Sequence, residues 1–210
     1  MSGSLMQLYD RYPDLLPCRE NIDSACSLLV HAFRAGNKLM VCGNGGSAAD
    51  SEHIVGELMK GFRLPRKLPG SEREILLRLF PSDGERIANT LQGALPAIAL
   101  TGSLSLATAF ANDVSSEMVF AQQVYGYGAT GDVLVVISTS GKSANVMRAA
   151  QVARMKGVNV VGLTGPDGGP LASLCDIAVR VPGNNTAEVQ ERHLPVYHEI
   201  CTRIEQEFFG

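Results

Sequence analysis

Five short runs of the chain are almost continuously apolar and rich in β-branched residues: 38–42, 96–101, 132–138, 158–164 and 176–181. Apolar positions that do not alternate with polar ones mark strands covered on both faces, the habit of a parallel sheet. Between them the spacing turns helical at 48–60, around 115–125 and at 144–156, the last run stopping at Gly157, where a glycine ends a helix. Two further helices precede the sheet, roughly 5–11 and 19–33, the second closing at Ala35-Gly36-Asn37. This alternation predicts an α/β fold: a doubly wound, flavodoxin-like five-stranded parallel sheet flanked by helices, with the N-terminal helices added.

One stretch breaks the alternation. From about 63 to 94 the chain runs through Arg63-Leu64-Pro65-Arg66-Lys67-Leu68-Pro69-Gly70, a mixed segment at 71–80, and Pro81-Ser82-Asp83-Gly84. Ser71 followed by Glu74 has the form of a capping box, and Ile75, Leu76 and Leu79 form an apolar stripe, which together predict a short surface helix. Its charges read most simply as solvated; the sharper reading has Arg63, Arg66 or Lys67 reaching over a site to hold an anion, or the excursion forming a subunit contact. The expected organisation is residues 1–36 as helices packing on the domain or at a subunit interface, and 37–210 as the α/β domain carrying the excursion.

Composition narrows the partners. A chain of 210 residues forms one substantial domain. A net charge of −3 gives no general attraction to nucleic acid or anionic membrane. The five cysteines (Cys18, Cys26, Cys42, Cys175, Cys201) form no C-x-x-C pair, which fits a reducing compartment better than a disulfide framework or zinc ribbon. Neither a leader pattern nor a bilayer-length apolar run is present, so a cytoplasmic protein is expected.

Candidate chemistry begins at two turns of glycine and hydroxyl residues: Cys42-Gly43-Asn44-Gly45-Gly46-Ser47, and Ser138-Thr139-Ser140-Gly141-Lys142-Ser143. Each follows a predicted strand and opens a helix, so backbone N–H groups face the loop as in phosphate sites. On parallel strands the two converge at the carboxyl edge of the sheet. The match of 43–48 to G-x-G-x-x-A lacks the acidic residue about twenty positions on that a dinucleotide fold needs, and Gly141-Lys142-Ser143 lacks the upstream glycine of a P-loop. Downstream of the first turn, His53 and Glu57 share one helix face, able to hold a metal or move a proton; spacing alone also fits an ordinary surface pair. Near the C-terminus Gln190, His193 and His198 fall within nine residues, and spacing does not rank them; Pro195 between them is expected to bend the helix.

As an ordered set, Cys-Gly-Asn-Gly-Gly-Ser-Ala-Ala-Asp at 42–50, His53 with Glu57, Asn112-Asp113, Ser138-Thr139-Ser140-Gly141 with Ser143 and Asn145, 163–165 with Asp167-Gly168-Gly169, and 189–191 with His193 and His198 resemble the sugar isomerase (SIS) domain family, in particular its phosphoheptose isomerases. The resemblance covers nearly the whole chain from about Arg19. It implies an aldose-ketose isomerase that converts sedoheptulose 7-phosphate to D-glycero-D-manno-heptose 7-phosphate in heptose biosynthesis through an enediol. Glu57 and His198 would be the acid/base pair. Asn44, Gly45, Gly46, Ser47, Glu57, Asn112, Asp113 and Gln190 would meet the substrate, with Ser138, Thr139, Ser140 and Ser143 on its phosphate. His53, Glu57, Gln190 and His198 would hold one zinc ion per subunit, and the assembly would be a homotetramer with sites at subunit interfaces. Relatives of the same fold that bind sugar phosphates without turning them over, as regulators of replication initiation or transcription, form the alternative, as does an isomerase of another sugar phosphate; retention of all four of His53, Glu57, Gln190 and His198 favours the enzyme.

Overall fold

The computed structural model describes residues 8–210. Of the first expected helix it shows 8–11; residues 5–7 lie outside the described part. A 3-10 turn at Pro13–Cys18 leads into α1 (Arg19–Arg34), followed by β1 (Leu39–Gly43), α2 (Gly46–Met59), α3 (Gly70–Leu79), α4 (Gly84–Thr90), β2 (Ala97–Ala99), α5 (Leu104–Phe110), α6 (Val119–Tyr127), β3 (Val133–Ser138), α7 (Ala144–Met155), β4 (Asn159–Thr164), β5 (Ile177–Arg180) and α8 (Thr186–Phe209).

The five strands form one wholly parallel sheet in the order β2-β1-β3-β4-β5, the doubly wound arrangement expected. Residues of β1, β3 and β4 are buried on both sides because alternate side chains enter two different cores. Leu39, Val41, Val133, Val135, Ile137, Val161 and Leu163 pack with α1, α2 and α8, whereas Met40, Cys42, Leu134, Val136 and Val160 pack with α6 and α7. Each fully buried aliphatic side chain contributes roughly 1.5–3 kcal/mol, so the continuously apolar runs are the physical reason for the three-layer architecture. The N-terminal helix α1 belongs to the first of these cores through Ile22, Ala25, Leu29 and Phe33.

Two local expectations are revised. The capping box at Ser71 does not form: α3 starts from Pro69 with no side-chain cap, which puts Ser71 inside the first turn. The short surface helix itself is present, with Ile75 and Leu79 of its apolar stripe exposed and Leu76 half-buried. The helix expected around 115–125 lies at Val119–Tyr127, and before it α5 runs into a π-helical stretch at Ala111–Ser115. Helix α8 is one helix of 24 residues with Pro195 inside it. Among the described residues no helix is long and apolar enough to cross a membrane.

Candidate active site

In this strand order the connections after β1 and β3 leave toward opposite faces: α2 packs in one core and α7 in the other. Neighbouring strands whose connections diverge open a crevice at their carboxyl ends, where open α/β sheets bind ligands. The two glycine and hydroxyl turns are the two lips of that crevice.

The first turn is dictated by crowding. Gly45 adopts φ +55° just before α2, a region that only glycine enters freely. A Cβ on Gly46 would stand 2.2 Å from Gln190 Nε2, so the Gln190 amide lies directly on this backbone. Asn44 and Asn145 join the two lips by a reciprocal amide pair: each Nδ2 donates to the other's Oδ1 at 2.9 Å.

In the second turn Ser138, buried at the end of β3, has its Oγ 3.1 Å from that of Ser143, the residue before α7. Ser143 does not cap the helix with its side chain, which leaves its hydroxyl facing the loop. Lys142 N donates to Ser140 Oγ at 3.2 Å. Gly141 has φ +62°, and a Cβ there would come within 2.0 Å of the Gly168 carbonyl, so the loop after β4 is pressed against this turn. Small hydroxyls, a tightly backed backbone and the positive end of a 12-residue helix suit a dianion.

Helix α8 crosses beside α2 and brings C-terminal residues to the same place. His53 Nε2 lies 3.2 Å from Glu57 Oε1 and 3.5 Å from His198 Nε2. Behind them Tyr197 donates its hydroxyl proton to Asp50 Oδ1 at 3.1 Å, and its oxygen lies 3.1 Å from His53 Nδ1. With the single phenolic proton spent on Asp50, the oxygen accepts from His53 Nδ1–H and Nε2 is left with its lone pair. The lone pair of His53 Nε2 then faces the Glu57 carboxylate, an arrangement that a shared proton or a bound cation relieves. Lys60 donates to the other Glu57 oxygen at 3.0 Å. The His198 pKa is held below its ordinary value, by burial first and then by the neighbouring His53, with Arg63 acting in the same direction and Glu57 against.

Not every candidate joins this cluster. His193 faces the interior, fully buried, with no hydrogen bond to either ring nitrogen and only partial relief from the Thr164 backbone. Asn112 and Asp113 sit in the exposed π-helical stretch, where Asn112 Nδ2 donates to Asp113 Oδ1 at 2.8 Å. Arg66, offered above as an anion grip, is 2 % exposed and spends its donors inside the protein, whereas Arg63 is exposed near His198. Tyr197, Lys60 and Phe62, whose ring centroid lies 5.3 Å from that of His198, were given no role in the sequence, and Asp50 entered only as the last residue of the 42–50 motif. Asp50 at His53 minus three and Lys60 at Glu57 plus three were readable there as helix neighbours; Tyr197 and Phe62 carried no such signal.

The donor set of two imidazoles, a carboxylate and an amide is chemically suited to zinc, the amide being its weakest member. Ligand atoms around a tetrahedral zinc stand about 3.3 Å apart, close to the 3.2 and 3.5 Å separations centred on His53. Among the described residues no group of three or more His, Cys, Asp and Glu is placed so as to hold a metal ion.

The family model for the SIS domain matches residues 17–89 and 77–165. The chain is similar to the phosphoheptose isomerases of Geobacter sp. (strain M21), 43 % identical over 188 residues covering 90 % of this chain and 84 % of that one, and of Rhodospirillum rubrum, 40 % identical over 90 % and 86 % of the two chains. Its fold matches the solved phosphoheptose isomerase from Francisella tularensis with a TM-score of 0.73, at 31 % identity over 97 % and 99 % of the two chains.

Proposed function

This chain belongs to the SIS domain family and is a phosphosugar isomerase, and from that premise we propose that it interconverts sedoheptulose 7-phosphate and D-glycero-D-manno-heptose 7-phosphate with Glu57 and His198 as the proton carriers. The observation that supports this most is the meeting of Glu57 and His198 at His53, from helices far apart in the chain, beside the glycine turn of the β1/β3 crevice.

The phosphate binds the hydroxyls of Ser138, Thr139, Ser140 and Ser143 at the start of α7, where a helix N-terminus supplies positive potential without a lysine. The sugar extends along Asn44, Gly45, Gly46 and Ser47 toward α2, with Gln190 on the glycine backbone and Asn112 and Asp113 closing from the exposed side. Isomerisation removes a proton from the carbon beside the carbonyl, passes through a cis-enediol and returns a proton to the neighbouring carbon. Glu57 takes and returns the carbon-bound proton. His198, whose pKa burial holds below its ordinary value, shuttles the proton between the two oxygens. The Tyr197–Asp50 pair fixes the His53 ring so that its Nε2 points at both carriers.

His53, Glu57, Gln190 and His198 would hold a zinc ion, which when bound supplies electrophilic polarisation of the substrate oxygens. A homotetramer with sites between subunits belongs to the same reading, supported by Leu104 and Val114, exposed by 74 % and 67 % on either side of Asn112 and Asp113. The free state of all five cysteines supports a cytoplasmic setting.

The test is turnover of sedoheptulose 7-phosphate and of shorter ketose phosphates by the wild type, Glu57→Gln and His198→Asn, with and without chelator. Wild-type conversion of the heptulose, with both variants inactive yet still binding it, is expected. Full turnover in either variant removes that residue from the mechanism, and failure to convert any sugar phosphate sinks the catalytic reading.

A further inference from the structure

The excursion at 63–94 is tied to the active site by a fully buried ion pair. Arg66 Nε donates to Glu205 Oε1 at 2.8 Å, and both side chains are sealed from solvent. The other arms of the guanidinium donate to two main-chain carbonyls at the end of α2: Nη1 to Leu58 O at 2.6 Å and Nη2 to Glu57 O at 2.7 Å. These belong to the last turn, whose carbonyls have no helical partner, and one of them is that of Glu57 itself. From the other side, Glu205 on α8 accepts from the backbone N–H groups of Phe62, Arg63 and Leu64 at 2.8, 2.8 and 3.1 Å. Its carboxylate is therefore fully occupied. Phe62, so anchored, lays its ring against His198, and the ring of Phe209 stacks on Arg66 at 4.7 Å from its guanidinium carbon.

A buried ion pair is weak grounds for stability in itself, since desolvation offsets most of the attraction. What this pair does supply is registration. We propose that Arg66 and Glu205 are positioning residues of the isomerase: one end of the pair fixes the backbone of Glu57, and the other fixes the Phe62 ring on which His198 rests. The excursion thereby sets the separation of the two proton carriers. This rests on the assignment of Glu57 and His198 made above. Lysine in place of Arg66 keeps the charge toward Glu205 but cannot hold both carbonyls, because only the planar fork reaches three acceptors at once.

Steady-state kinetics on sedoheptulose 7-phosphate, per folded molecule and below each melting temperature, test this in Arg66→Lys, Glu205→Gln and Phe62→Leu, with Glu57→Gln alongside. Small displacements of reacting groups cost up to about 100-fold in rate, so kcat should fall about 10- to 100-fold in Arg66→Lys and Glu205→Gln while KM stays within about threefold. Phe62→Leu, at a half-buried position, should fall at least about threefold in kcat with its melting temperature unchanged. A folded Arg66→Lys or Glu205→Gln with wild-type kcat, whatever its melting temperature, overturns the proposal, because a purely structural clasp moves stability alone. If neither folds, Phe62→Leu decides, and an unchanged kcat overturns it. Loss in Glu57→Gln without loss in the clasp variants refutes the clasp only; wild-type activity in Glu57→Gln, or an inactive wild type, refutes the underlying mechanism and the clasp with it.

Discussion

His193 makes the stability of this protein sensitive to mild acid, and the effect is large enough to measure. The ring is fully buried on α8 with both nitrogens unpaired. Burial, opposed only in part by the Thr164 backbone, pulls its pKa from 6.5 down to about 4. The unfolded chain therefore takes up a proton that the folded chain refuses. Stability from this residue is intact above about 6.5 and drains as the pH falls toward 4. At 1.36 kcal/mol for each unit of pKa difference the full loss is roughly 3 kcal/mol, of which about 2 kcal/mol has gone by pH 5. Replacing His193 by leucine removes the titrating group and leaves an apolar side chain at a fully buried position. At pH 7 the variant should lie within about 1 kcal/mol of wild type, because leucine has a similar volume and any misfit in shape is offset by removal of buried ring nitrogens that lack partners. Urea unfolding at pH 7, 6 and 5, followed by far-ultraviolet circular dichroism at one protein concentration, gives the comparison. The fall in unfolding free energy between pH 7 and 5 should be smaller in the variant by about 2 kcal/mol. Carboxylates common to both proteins cancel in this difference. Parallel losses, to within about 0.5 kcal/mol, would refute the reasoning and imply that His193 is protonated in the folded state or that its site opens to water.

Two further outcomes follow from close contacts elsewhere. Gly141→Ala should destabilise by several kcal/mol and Gly46→Ala by much less, because the first places a Cβ against the fixed Gly168 carbonyl at φ +62° whereas the second meets only the movable Gln190 amide; melting curves separate the two, and Gly46→Ala should instead show weakened sugar-phosphate binding by calorimetry. Asp132, buried and accepting from Lys38 N, Lys38 Nζ and Ala129 N, is held below its ordinary pKa because these bonds outweigh its burial. Its contribution is thus complete above about pH 4 and lost as the pH falls further, so Asp132→Asn should cost about 1–3 kcal/mol at pH 7 and flatten the acid limb of a denaturation series below pH 4.

The parts of the fold that were legible are those set by local chemistry. Strands buried on both faces write themselves as apolar runs, and β1, β3 and β4 lie where those runs do. The two turns were legible because tight strand-to-helix connections admit few residue types. Choosing among Gln190, His193 and His198 was not possible from spacing, since that choice depends on how α8 is rolled against the sheet. On a straight helix His193 and His198 project about 140° apart, so one enters the core as the other reaches His53. Arg66 was misread for a related reason. Its partner Glu205 lies 139 positions away, and a cation in a proline-rich, charged stretch has the composition of a solvated loop. Asn112 and Asp113 have the composition of a turn, and the π-helical stretch they occupy has no signature in residue type.

Helix α8 follows every strand in the chain, and this has a consequence for the order in which the protein acquires its capacities during synthesis. Once β5 has been made, the sheet, the glycine turn and the hydroxyl loop all exist. The flank of the sheet that Val196, Tyr197, Ile200 and Ile204 will cover is still bare, and Gln190, His198 and Glu205 have not yet emerged. A nascent chain at that stage holds the parts that grip a phosphate and lacks half of those that move a proton. It is also at its most adhesive, with an apolar flank open to other chains. Docking of one helix ends both conditions together.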